Sequence, residues 1–297
     1  MTRPVFVPTE GPLAVTYTLY EAPHPVSDLA IVLHHGICHT RLQFLPLIEQ
    51  LNGFGIHAAM IEQQSEHAGF FRNCIGLNQY RAGMAAAVRR IESAEGWPIG
   101  SYVLHSMGAL IGEEMQQANR DLLRPTVFLA PIPIDGAFPI TFRILRRRPR
   151  SYLETVLALD VLSLMNTPQQ VRELFFDART PGRIVEETTD QLKHAPFWAY
   201  CQLVLRWLIR PRVKDDQRPK MLLYSETDEI FHPEEYKKTR RHYSRLEVHA
   251  FDGGHDFFIE YAEPAAKLIA DFHLLHAPRG VASFCLRPDE ATVGPAA

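Results

Sequence analysis

Tyr102-Val103-Leu104-His105-Ser106-Met107-Gly108-Ala109 carries an apolar strand straight into a serine, and a helical pattern starts at the next residue. A serine on such a turn is lifted out of the sheet. The positive end of the following helix then points at any negative charge that develops beside it. Gly108, two residues on, lets the turn approach neighbouring backbone. The stretch departs once from a full G-x-S-x-G turn: Leu104 stands at the first glycine position, and its bulk is predicted to crowd the bend. The competing reading is a serine that merely caps a helix after a strand.

Outward from this turn, short apolar runs alternate with longer helical patterns, which favours a mostly parallel sheet with helices on both faces. Leu13 to Tyr20 alternates like an early antiparallel strand, and Leu29 to Leu33 is a buried strand ending at His34-His35-Gly36. A helix is predicted around Phe44 to Leu51, punctuated by Gly53 and Gly55, then a strand over Ile56 to Ile61. Asn78 to Ala94 is helical, with Asn78 as cap and Gly96 as stop. The turn serine is followed by a helix over Met107 to Asn119 and a strand over Pro125 to Ala130. From 132 to 218 the pattern is helical and arginine-rich, with no clear strand. Strands return at Met221 to Ser225 and Leu246 to Phe251, and Glu263 to His276 is a last helix. The expected organisation is a core over 1–131 and 219–277, a helical cap over 132–218, and an extended or mobile tail over 278–297.

The bulk numbers exclude several function classes. The chain has 297 residues, 46% hydrophobic and 22% charged, with a net charge of -3. There is no basic excess of the kind that nucleic-acid binding requires. Cys38, Cys74, Cys201 and Cys285 form no CxxC pair, so they read as reduced thiols of a cytoplasmic protein rather than as a disulfide framework or a zinc site. No run approaches the roughly 18 apolar residues of a membrane span, and the N-terminus has no continuous apolar signal region. A soluble chain is expected, with self-association left open.

Candidate partners for Ser106 follow in chain order. Asp228 lies just after the strand at 221–225, with Glu226 and Glu229 as neighbouring substitutes, and a carboxylate there can orient an imidazole and stabilise its charged form. His255 lies after the strand at 246–251, behind Gly253 and Gly254, which suit a loop that places a ring in a narrow space. Asp252 and Asp256 flank it as electrostatic neighbours or loop residues. The turn His34-His35-Gly36-Ile37-Cys38-His39 supplies the backbone N–H of Ile37, which with that of Met107 would make an oxyanion hole.

On these segments, together with Leu129-Ala130-Pro131-Ile132-Pro133 and Ser65-Glu66-His67-Ala68-Gly69, the chain resembles the α/β-hydrolase superfamily, especially its capped serine esterase, lipase and lysophospholipase-like branch. The resemblance spans residues 29 to 275. It implies an α/β-hydrolase fold with a helical cap inserted before the acid-bearing strand, Ser106 as nucleophile, Asp228 as acid and His255 as base. It implies an ester or thioester substrate with a hydrophobic acyl part, and no metal or organic cofactor. Serine at the turn argues against the dehalogenase and epoxide-hydrolase branches, which place aspartate there. The rival readings are a non-hydrolytic acyltransferase, cyclase or lyase on the same site, and a non-catalytic ligand receptor.

Within the cap, Arg143-Ile144-Leu145-Arg146-Arg147-Arg148-Pro149-Arg150 holds five arginines in eight residues. It reads either as a site for an anionic group or as a solvated helix end, the second being favoured. Tyr152 to Met165 reads as an acyl-pocket wall or as the buried face of a cap helix. Phe197, Trp198, Tyr200 and Trp207 could roof a pocket, but core packing is the commoner role for such residues. His34, His39 and His67 read either as facing the cleft or, the commoner case, as packed or surface residues.

Overall fold

The computed structural model describes residues 3–9, 12–64, 74–209 and 213–278. The Ser65–Gly69 loop with His67, Cys285 and the tail from 279 onward lie outside them, as does the side chain of Trp207. Eight strands form one sheet: β1 Val5–Val7, β2 Ala14–Tyr20, β3 Ala30–His34, β4 Ala58–Gln64, β5 Ile99–His105, β6 Thr126–Leu129, β7 Lys220–Ser225 and β8 Leu246–Phe251. Their order is β1-β2-β4-β3-β5-β6-β7-β8. The pairs β1–β2 and β2–β4 are antiparallel and all the others parallel.

β3, β5, β6 and β7 are buried along their whole length because helices cover both faces, which is why they read as unbroken apolar runs. The helices are α1 Leu45–Gly53, α2 Leu77–Ala94, α3 Met107–Ala118, α4 Phe138–Arg147, α5 Pro149–Ala158, α6 Pro168–Phe175, α7 Gly182–Gln191, α8 Phe197–Val204, α9 Arg206–Ile209, α10 Tyr236–His242, α11 Phe257–Glu260 and α12 Ala262–His276. Side chains of α1 and α12 pack on Ile31, Leu33, Val103 and Val127 on one face of the sheet. Those of α2 and α3 pack on Val32, Tyr102, Leu104 and Phe128 on the other. α4 to α9 intervene between β6 and β7, where the described residues make only an isolated bridge between Asp160 and Pro196. This is an α/β-hydrolase fold with helices inserted before the strand that leads to Asp228. Among the described residues, no helix is long and apolar enough to cross a membrane.

The topology itself selects the place for a site. The chain leaves β3 for β4 on one side and returns as β5 on the other, so the loops after β3 and β5 diverge and open a crevice at their carboxyl ends. Register aligns His34 with Leu104 and His105 with Leu129, bringing the ends of β3, β5 and β6 to one level.

Local differences from the sequence reading have physical causes. β1 is a three-residue edge strand, too short for a periodic signal. The cap of α2 is Gly76, whose N–H donates to Gln79 Oε1 at 3.0 Å, so the expected cap Asn78 lies inside the first turn. Tyr152 to Met165 does not act as one wall. It breaks at Leu159, which takes a left-handed φ of 52°, into α5 and a short 3-10 turn at Val161–Leu164. In α5 Leu153 and Leu157 are exposed and only Thr155 is buried, whereas Val161, Leu164 and Met165 are buried.

His273 on α12 is buried against β5, with its Nδ1 2.8 Å from Ser101 Oγ. Burial lowers its pKa to about 4, against about 6.5 in an unfolded chain. The unfolded state therefore takes up a proton first, and stability is lost as pH falls below 6.5. Between pH 7 and pH 5 this group is expected to remove about 2 kcal/mol. Denaturant unfolding of His273→Gln should show a pH 7 to pH 5 drop smaller by about that amount; an unchanged drop would refute the assignment.

Candidate active site

Ser106 occupies the turn between β5 and α3 with φ 50° and ψ -117°, a left-handed conformation that costs a non-glycine residue about 1–3 kcal/mol. Backbone hydrogen bonds hold it there. The Ser106 N–H donates to the Leu129 carbonyl at 3.0 Å, and the Ser106 carbonyl accepts from Ala109 and Ile132 N–H at 3.1 and 3.2 Å. Gly36 lies so close beneath the turn that a Cβ there would stand 2.8 Å from Ser106 Cβ.

Leu104 does not crowd the bend. It is fully buried on the α3 side of the sheet, and the space it needs comes from Gly112, where a Cβ would overlap the Leu104 side chain. The small residue that the turn requires has moved from the strand to the second turn of the following helix.

The loop after β7 places Asp228, and the loop after β8 places His255. The structure brings these two together: His255 Nδ1 donates to Asp228 Oδ2 at 2.8 Å with both side chains buried. Asp228 Oδ1 accepts from the N–H groups of Ile230 and Phe231 at 2.7 and 2.9 Å, and Tyr236 donates to Oδ2 at 3.3 Å. Burial, then the Asp228 charge, push the Tyr236 hydroxyl pKa well above its ordinary value, so it stays a donor. Glu226 and Glu229 are exposed and take no part in this cluster. His255 Nε2 is buried with no hydrogen-bond partner, and no hydrogen bond joins it to Ser106. Its ring packs against His105, Phe175 and Phe231 at centroid distances of 5.0, 6.1 and 5.4 Å.

Ile37 and Met107 lie on the turns after β3 and β5, and among the described residues neither N–H donates a hydrogen bond. A cavity of about 70 Å³ opens here, lined by Ile37, Ser106, Ile140, Leu164, Phe175 and Phe231 among others. A larger one of about 640 Å³ does not reach Ser106 but shares Ile140, Ile144, Leu164 and Leu174 with it, and meets Thr227 and Glu229 beside Asp228.

The arginine run is ion-paired, and Arg143, Arg147 and Arg148 of it line the larger cavity. Arg143 bonds both carboxylate oxygens of Glu235, Arg147 pairs with Glu229, Arg148 with Glu173, and Arg150 lies 3.7 Å from Glu154. Of the aromatic cluster, Tyr200 lines the small cavity while Trp198 is 47% exposed. His39 also lines it, whereas His34 and His35 are held in the interior by His34 Nε2 to Gln63 Oε1 and His35 Nδ1 to the Gly36 carbonyl.

The sequence reading missed one cluster altogether. Asp256 is fully buried, with Oδ2 2.8 Å from His39 Nε2 and Oδ1 3.4 Å from His105 Nε2. Burial tends to raise its pKa, but the facing histidines hold it far below the usual carboxylate range. Burial drives His105 down to about 3. For His39, burial is outweighed by Asp256 and the Ile37 carbonyl, and the pKa is raised. The adjacent sequence Gly254-His255-Asp256 was the available signal: two polar residues in a row where the chain re-enters the core.

Leu104 and Gly112 should be energetically coupled. Gly112→Ala is expected to destabilise the wild type through overpacking, and to be less damaging by about 1 kcal/mol or more in a Leu104→Ala background. A denaturant-unfolding double-mutant cycle measures this independently of helix propensity; additive effects would mean that the two do not share one space.

Residues 31–268 match the model of the alpha/beta hydrolase family. Among solved structures the chain is similar to a thermophilic esterase from Thermogutta terrifontis (16% identity, TM-score 0.64, 93% of this chain and 100% of that one). It is similar likewise to a monoacylglycerol lipase from Paleococcus ferrophilus (16%, 0.61, 89% and 99%). An esterase from Exiguobacterium antarcticum gives 11%, 0.64, 91% and 99%. At these identities the likeness is one of fold. No curated protein matches the sequence. With the family model spanning most of the chain and the sheet order and inserted helices in agreement with it, the protein belongs to the alpha/beta hydrolase family.

Proposed function

We propose that the protein is a serine hydrolase that cleaves a carboxylic ester or thioester with an apolar acyl group. The observation that carries this reading is the buried Asp228–His255 hydrogen bond on loops beside the strained Ser106 turn, with His255 Nε2 left uncommitted. In the proposed chemistry His255 Nε2 takes the proton of Ser106 Oγ as that oxygen attacks the acyl carbonyl. Asp228 holds Nδ1 protonated and stabilises the imidazolium that forms. The negative oxygen of the tetrahedral intermediate meets the N–H groups of Ile37 and Met107. Its collapse passes the His255 proton to the departing alcohol or thiol and leaves an acyl-enzyme. Water then adds by the same route, its proton going to His255, and the acid leaves as Ser106 recovers its proton.

The lining of the small cavity is apolar and its volume is about 70 Å³, which supports a short acyl group seated against Ser106. The leaving group would occupy the adjoining larger cavity. The thiols of Cys38 and Cys201 are free, which supports a cytoplasmic location.

A fluorophosphonate should label the wild type covalently and fail to label Ser106→Ala. Asp228→Asn should retain the fold and lose about 10³–10⁴-fold in kcat. p-Nitrophenyl acetate and butyrate should be turned over faster than the long-chain esters, and parallel acyl-thioesters separate esterase from thioesterase. Products that are transferred or rearranged, with no acid released, would favour acyltransferase, cyclase or lyase chemistry. Ligand-induced thermal stabilisation without labelling would favour a receptor.

A further inference from the structure

The arginine run has two sides. Arg146 and Arg150 are exposed, as a solvated helix end requires. Arg143 and Arg147 stand one turn apart on α4 and so share a face. With Arg148 they line the cavity of about 640 Å³, and α6 adds a fourth guanidinium, Arg172.

Three carboxylates line the same cavity, Glu173, Asp177 and Glu229. Asp177 is taken up by Arg179, which lies outside the lining and donates to it at 2.8 Å. Arg143 is matched by Glu235, likewise outside the lining, yet its buried Nε–H has no hydrogen-bond partner among the described residues. Arg147 faces Glu229, and Arg148 faces Glu173, through carboxylates 48% and 45% exposed. Such solvated pairs contribute little net energy, so another anion can replace either carboxylate at small cost. Arg172 has no carboxylate partner among the described residues. Its Nη1 donates to the Asp177 and Thr180 carbonyls at 3.2 and 2.7 Å. Those two bonds hold the guanidinium in place and leave its charge unopposed. The cavity therefore carries an unmatched positive charge and planar donors of the kind that bind an oxyanion in a fork.

The walls that this cavity shares with the one at Ser106 are apolar: Ile140, Ile144, Leu164 and Leu174. A molecule spanning both would lay an apolar stem along these side chains, with its acyl carbonyl at one end and an anionic group at the other. We propose that the leaving group of the natural substrate carries an oxyanion, a carboxylate or a phosphate, bound by Arg172 and the cavity-lining arginines of the run. Hydrolysis then releases a short acid and an anionic alcohol or thiol. The inference rests on the Ser106 reading above.

The test uses the full-length protein and two series of acetate esters of graded chain length. One series pairs esters of ω-hydroxy acids with their neutral amides. The other pairs esters of ω-hydroxyalkyl phosphates with the monoacetates of the matching diols. At the best chain length the anionic member should exceed its neutral partner about tenfold or more in kcat/KM, the worth of a charge-assisted hydrogen bond. The series with the larger ratio identifies the oxyanion. In Arg172→Gln the ratio should fall to about one. Arg172 also holds two carbonyls, so Arg147→Gln, at a side chain 64% exposed, gives a second reading and should lower the ratio severalfold. Glu173→Gln, which frees Arg148, should raise it, an effect that mere loss of structure would not produce. A ratio near one at every chain length overturns the inference, as does a ratio that both arginine variants leave unchanged. Calorimetric titration of the ω-hydroxy acids and ω-hydroxyalkyl phosphates needs no turnover, and Arg172→Gln should weaken the binding about tenfold or more. Failure of fluorophosphonate to label the wild type overturns the Ser106 reading. Intact labelling with no anion binding overturns the anion site alone.

Discussion

The left-handed backbone at Ser106 is the constraint on which the surrounding structure depends. A serine does not choose φ 50° and ψ -117° locally, so neighbouring elements must impose it. They do so by hydrogen-bonding the Ser106 N–H to Leu129 at the end of β6 and its carbonyl to Ala109 in α3 and Ile132 beyond β6, and by packing Gly36 directly under the side chain. The other positive-φ residues near the site, Cys38 and Ala130, lie on the turns after β3 and β6. Strain is thus concentrated at the carboxyl ends of three neighbouring strands, where the topology opens its crevice. The flat apolar packing of β3, β5 and β6 supplies the rigidity that holds it.

The inserted helices are tied to the same loops. Lys193, beyond α7, donates to the Cys38 carbonyl; Asp256 N–H donates to the Phe175 carbonyl at the end of α6. Gly254 lies against the Phe175 backbone so closely that any side chain would overlap it. On the third side, Arg143 binds Glu235 and the Ile230 carbonyl, and Arg147 reaches Glu229, on the segment that also donates to Asp228. Partly exposed ion pairs add little stability singly. Their effect here is placement: the insertion touches the loops of Ile37, Asp228 and His255, so a shift of the helices would be felt at all three.

What the sequence disclosed and what it hid divide along contact range. The buried strands were legible because both faces are apolar, and the order of Ser106, Asp228 and His255 followed from strands that announce themselves. Leu104 looked like a defect because its compensation, Gly112, lies on a different element and matches no local pattern. The break at Leu159 was hidden because an apolar run carries no mark of which residues turn outward. The His39–Asp256 pair spans 217 positions. Gly254-His255-Asp256 marks a polar re-entry into the core, but nothing around His39 names Asp256 as its partner; only the fold closes that distance and buries both side chains.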